Sequence, residues 1–163
     1  SGRYNPPEDW PPALRNHQAQ DNHGRPAFNL TAGRNTGPDI LFTQGDVRQL
    51  QLARGAVAAG TGMLLKSAGI GATQLRTVLP AGALGSFLRP ETALRTGLVP
   101  AVAPENIRYL GNAALSGAAM ALGSTTQRNR LLELAKRVSY VELSGMQSFN
   151  AAFEQSLTFS LQR

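Results

Sequence analysis

An α/β domain with a largely parallel or mixed sheet is what this chain should form, on three grounds. Apolar residues repeat with helical period through residues 47–68. Short β-rich stretches then alternate with helical ones from residue 75 onward. Twice, a glycine turn stands between such a strand and a helix that follows it. The length of 163 residues suits one domain or part of one.

Residues 1–38 read as a Pro-rich loop or linker, partly disordered, ahead of an ordered domain at 39–163. Pro6, Pro7, Pro11, Pro12 and Pro26 fall among Asn, Asp, Gln and Gly with neither a helical nor a strand period. Residues 27–31 form an edge-strand candidate and 39–42 a second. Order is expected from Thr43, which can cap a helix, as can Gly45-Asp46, with an acid in the first turn. Val47, Leu50, Val57, Thr61, Leu64 and Ala68 mark its expected buried face, and Gly69 its end. Gly55, Gly60 and Gly62 each weaken a helix by about 1 kcal/mol relative to Ala. Their presence together points to close backbone contact with a neighbouring element or a ligand.

Residues 75–81 are the next expected strand, and 107–110 a short one. Gly111-Asn112 opens a small-residue helix over 113–122, and Thr125-Thr126 caps another to Arg137. A strand over 138–143, a helix over 146–155 and a final strand over 156–161 complete the plan.

Composition narrows the chemistry. Cysteine is absent, which excludes disulfides, thiolate zinc sites and clusters ligated by this chain's own cysteines. His17 and His23 lie in the polar opening segment and read as exposed loop residues. No stretch has the roughly 20 apolar residues of a membrane span. The formal charge is +6, but the basic residues are scattered, with no run longer than Lys136-Arg137. Neither nucleic acid nor a membrane is therefore expected as a partner.

Two turns could do chemistry. Glycine after a strand lets backbone N–H groups approach an anion, and the following helix adds its positive end. Gly82 to Ser86 and Gly111-Asn112 both fit this. Neither turn has the Lys-Ser/Thr of a P-loop or the Gly-x-Gly-x-x-Gly dinucleotide spacing. From the residues alone, phosphate or nucleotide binding and simple tight-turn packing both stay open. Ser86 and Ser116 have no sequence-local His base, and Glu91, Glu105 and Glu133 show no acid/base pairing, so no catalytic residue is assigned.

Three stretches then follow in a characteristic order. They begin Phe42-Thr43-Gln44-Gly45-Asp46-Val47-Arg48, Leu79-Pro80-Ala81-Gly82-Ala83-Leu84-Gly85-Ser86 and Tyr109-Leu110-Gly111-Asn112-Ala113-Ala114, and Tyr140-Val141-Glu142-Leu143-Ser144 closes the series. In this the chain resembles the C-terminal part of the ATP-dependent reductive activators of corrinoid proteins. These are iron–sulfur proteins whose ATPase domain belongs to the actin, sugar-kinase and heat-shock-chaperone superfamily. The resemblance implies one lobe of an actin-like (ribonuclease H-like) ATPase, at work in the cytoplasm. It places Gly82, Ala83, Gly85 and Ser86 at the nucleotide's phosphate and ribose. Arg48 and Gln51 would lie near adenine and ribose, and Gly111 and Asn112 would close the site. Ala83 departs from the glycine usual in the broader superfamily.

The same resemblance implies ATP or ADP with Mg in the parent protein, and an iron–sulfur cluster in a separate N-terminal domain. The parent would return the Co(II) corrinoid of a methyltransferase system to Co(I), while this chain alone would not be catalytic. Its partners would be the remaining N-terminal part of the same protein and a corrinoid protein or methyltransferase. Apolar faces left by a missing lobe could also pair two copies as a homodimer. Two other readings stay open: an ATPase-lobe activator of another redox enzyme such as a radical dehydratase, and a non-catalytic interaction module of the same fold.

Overall fold

A computed structural model of the chain describes residues 5, 7–34, 37–82, 88–143 and 145–158. The opening segment is built from prolines at turn starts. Two 3-10 turns, Pro7–Asp9 and Pro12–His17, each begin on Pro, whose missing N–H costs nothing at a helix start. They lead into an antiparallel sheet in the order β1-β2-β3, with β1 Gln18–Gln20, β2 Pro26–Asn29 and β3 Leu41–Thr43. Asp21 closes the β1–β2 hairpin: its Oδ1 accepts from the N–H groups of His23 and Arg25 at 2.9 and 3.0 Å, and Arg25 pairs with its carboxylate. The expected strands at 27–31 and 39–42 correspond to β2 and β3, while β1 lies where a loop was expected.

This hairpin has a small aromatic core. Trp10 is buried and its ring lies 5.4 Å from Phe28. His17 stacks on the same ring at 4.7 Å and its Nδ1 bonds the Asn29 carbonyl at 2.6 Å. His17, expected as an exposed loop residue, is thus half-buried packing.

Thr43 starts α1, Gln44–Ser67, with a reciprocal cap. Its Oγ1 accepts from the Asp46 N–H, and the Asp46 carboxylate accepts from the Thr43 N–H at 2.7 Å. Gly69, with φ +67°, ends the helix as expected. The buried face differs from the expected one. Arg54, Gly55 and Ala59 are buried, whereas Leu50, Val57 and Leu64 are exposed. The reason is α5, Gln147–Ser156, which packs on the small-residue side of α1. A Cβ on Gly55 would stand 3.2 Å from the Leu157 side chain and 3.4 Å from Phe153.

Residues 75–81 and 107–110 form less sheet than expected. Among the described residues they share a single parallel bridge, Val78 with Ile107. Val78 N–H donates to Asn106 O, Arg108 N–H to Val78 O, and Leu110 N–H to Pro80 O. The rung between the last two bonds needs an N–H from Pro80, which has none, so the pairing is interrupted there. Two further elements follow this pair. α2, Pro90–Thr96, was not expected from the sequence; it ends on Gly97 at φ +68°. α3, Ala113–Gly123, and α4, Thr125–Arg137, pack on each other, with Ser124 rather than Thr125 as the cap of α4.

The strand expected at 138–143 does not form. The segment has no strand to pair with among the described residues, and Val138 and Tyr140 are 76% and 81% exposed. A β-rich sequence needs a partner before its propensity becomes structure. Of the final strand expected at 156–161, Ser156 ends α5 and Leu157 is its cap; residues 159–161 lie outside the described residues.

Candidate functional site

The two glycine turns meet. The chain turns at Gly82, with φ +90°, and the Gly82 N–H donates to the Gly111 carbonyl at 2.7 Å. Gly111 itself has φ +61°. A side chain in this left-handed region costs about 1–2 kcal/mol. Among the described residues a Cβ at either glycine would meet nothing within 4 Å, so backbone conformation rather than crowding calls for glycine. Asn112 then caps α3, its Oδ1 accepting from the Leu115 N–H at 3.0 Å. The Gly82 and Ala113 N–H groups both donate to the Gly111 carbonyl, at 2.7 and 3.0 Å, so the two turns and the start of α3 form one hydrogen-bonded unit. Ala83, Gly85 and Ser86 lie outside the described residues.

Arg48 and Gln51 stand in the first turns of α1. Arg48 is exposed. Gln51 is engaged elsewhere: its Nε2 donates to the Leu157 carbonyl at 2.9 Å, fastening α1 to the end of α5. No hydrogen bond among the described residues joins either side chain to Gly82 or Gly111. Of the named residues, the structure brings Gly82, Gly111 and Asn112 together directly.

Arg54 escaped sequence reasoning. It is 5% exposed, and its Nη1 donates to the carbonyls of Ser156 and Thr158 at 2.7 and 2.9 Å. A cation is thereby set on the negative end of α5. Gly97 lets α2 close against it, since a Cβ there would lie 3.0 Å from Arg54 Nε. The available signal was one Arg embedded in the run Leu52-Ala53-Arg54-Gly55-Ala56. Tyr109, a strand residue whose side chain the sequence assigns to the core, is half-buried. It lines a cavity of about 380 Å³ between α1 and residues 75–81, and its Oη is buried with no hydrogen-bond partner among the described residues.

The perturbed acids lie outside this region in sequence and in contacts. Arg25 donors hold Asp21 down to about 2, and the Thr43 N–H and hydroxyl hold Asp46 below the usual carboxylate range. Tyr140 is pushed up because its hydroxyl donates to Glu142. Among the described residues no three His, Asp or Glu side chains converge on a metal-sized site, and no helix is long and apolar enough to cross a membrane.

Comparison with known proteins agrees with this architecture. The corrinoid activation enzyme RamQ of Eubacterium limosum is 30% identical over 148 residues, covering 90% of this chain and 25% of that protein. The [Co(II) methylated amine-specific corrinoid protein] reductase of Methanosarcina barkeri is 27% identical over 125 residues, covering 76% of this chain and 23% of that one. A solved structure of a reductive activator for corrinoid, iron–sulfur protein superposes with a TM-score of 0.76 at 28% identity, over 86% of this chain and 23% of that one. The chain thus spans about a quarter of the length of these relatives. A family model described as the C-terminal domain of RACo, the ASKHA domain, matches residues 6–163 and so takes in most of the opening segment as well. With that match over nearly its whole length, the chain belongs to the family of RACo C-terminal ASKHA domains.

Proposed function

We propose that this chain is the nucleotide-binding lobe of a cytoplasmic, ATP-dependent reductive activator that returns Co(II) corrinoid to Co(I). The observation that carries the reading is the Gly82–Gly111 hydrogen bond, which joins two glycine turns at the start of α3. Residues 75 and 77–81 line a cavity together with Val57, Thr61 and Leu65 of α1. Arg48, exposed in the first turns of α1, would close on a base or ribose held over the glycine turns.

The chain's own part is to bind and to report. Gly82 and Gly111 would leave room for phosphate oxygens, Asn112 fixes the start of α3, and Arg48 would hold the sugar and base. The bound ATP supplies the free-energy difference between two conformations, and a cluster held outside this cysteine-free chain supplies the electron for Co(II). A nucleotide shifts that equilibrium only through unequal affinity for the two conformations, which hinge closure of one lobe on another provides.

Titration of the native polypeptide with a non-hydrolysable ATP analogue tests this reading. Arg48→Ala should weaken binding about tenfold, the equivalent of about 1.4 kcal/mol, and leave the melting temperature unchanged. Co(II)-to-Co(I) conversion, followed by absorption, should depend on ATP. A folded native polypeptide without affinity for the analogue would sink the proposal and favour an interaction module.

A further inference from the structure

We infer that the outer face of α4 is the docking surface for a protein client, which meets it with an acidic patch. The inference deepens, and rests on, the reading of the chain as part of an activator that hands an electron to another protein. Within 13 residues α4 carries four basic side chains and one acid, half of the chain's formal charge of +6. Every residue from Arg128 to Arg137 is exposed. Glu133 is already engaged, accepting from Lys136 Nζ at 2.7 Å. Arg130 and Arg137 stand two helical turns apart. They therefore project from one side of α4, about 10 Å from each other along the axis. Among the described residues neither side chain has a hydrogen bond or an ion pair.

The neighbouring helix shows what kind of partner this is. α3 packs on α4 and has no charge, as suits a permanent interface. α4 presents the opposite surface. Exposed charge sets the rate and register of encounters between partners that come and go, and an activator must release each client once the electron has passed. Two guanidinium forks match carboxylates on a facing protein surface, each pair held by two parallel N–H···O bonds. Leu132, 58% exposed, lines a groove with Asn129, Glu133 and Lys136 and sets an apolar contact beside the charges. The face is also mixed in sign, because Glu133 falls between Arg130 and Arg137 along the helix. A protein can answer each charge separately, whereas a phosphate backbone or an anionic lipid layer would be repelled by that carboxylate. Nucleic acid would further call for a longer basic track and stacking aromatics, and α4 has no aromatic residue.

Stopped-flow association of the native polypeptide with the corrinoid protein isolated from the same cells tests the surface. Arg130→Glu combined with Arg137→Glu should slow association about tenfold or more at low salt. The difference from the unaltered protein should shrink as salt rises toward about 1 M, where exposed charges are screened beyond about 3 Å. Arg130→Lys combined with Arg137→Lys should recover most of the rate, which separates charge from packing. Unchanged association of the folded Glu variant overturns the inference, and loss of its binding to phosphatidylserine vesicles alone would assign α4 to a lipid surface instead. If the Glu variant fails to fold, the unaltered protein decides: a rate that falls with salt supports the inference and one indifferent to salt overturns it. Affinity for the ATP analogue, measured on the same samples, separates the two proposals. Analogue binding with charge-indifferent association leaves the functional reading standing, and charge-steered association without analogue binding leaves only the docking surface.

Discussion

Arg54 concentrates more of this fold in one side chain than any other residue described. It holds the last carbonyls of α5 and forms the surface against which Gly97 ends α2. Arg54→Met would leave the Ser156 and Thr158 carbonyls short of a charged donor, at about 2–4 kcal/mol. Arg54→Lys should recover part of that, because an ammonium keeps the charge but not the fork. Gly97→Ala should cost about 1–2 kcal/mol from the left-handed backbone alone, with the Cβ also pressing on the guanidinium. Urea midpoints of the three variants give the ordering. None of this was legible beforehand, because a buried arginine looks like a surface one until the helix it caps is in place 102 residues later.

At the scale of elements, α1 was the best-read part of the chain. Thr43, Asp46 and Gly69 mark its ends by local chemistry, which a sequence displays directly. Its buried face was misread because periodicity finds the large apolar residues, while α5 selects the small ones for close approach. Two glycines make the contrast measurable. Gly62 has nothing within 4 Å of a Cβ position, so Gly62→Ala should stabilise by about 1 kcal/mol. Gly55→Leu should destabilise by about 1–3 kcal/mol by forcing α5 away. The same helix has a pH limit. Asp46 is depressed when folded, so its contribution is full above the ordinary aspartate value of about 3.9 and is lost as pH falls through the lower folded value. Helical circular dichroism should show a step in this acid range that Asp46→Asn lacks. The strands at 75–81 and 138–143 were overcalled for a reason equally physical. Their residues have the propensity, but a strand exists only with a neighbour, and one rung here is interrupted by Pro80.

For the whole molecule, the described residues resemble a half more than a finished unit. No large side chain is completely buried, and Leu115, Met120 and Leu122 of α3 stand in the open. A helix without a single charge normally lies inside a protein. The glycine turns of the candidate site were legible because positive φ leaves its mark on sequence as glycine, at Gly82 and Gly111. Their direct hydrogen bond was not, since it depends on the parallel pairing of segments about 30 residues apart. The two turns should therefore respond together: a ligand drawn to Gly82 pulls on the carbonyl that starts α3. If the nucleotide reading holds, ATP should slow amide exchange in the first turn of α3 as well as at Gly82.

The bond between Arg54 and the end of α5 also sets a schedule for synthesis. Its two acceptors follow it by 102 and 104 residues. At about 5–20 residues per second, roughly 5–20 s pass between the making of the arginine and of its partners. For that interval α1 is complete yet undocked, its glycine and alanine stripe open to whatever is nearby, until the residues of α5 emerge and close it.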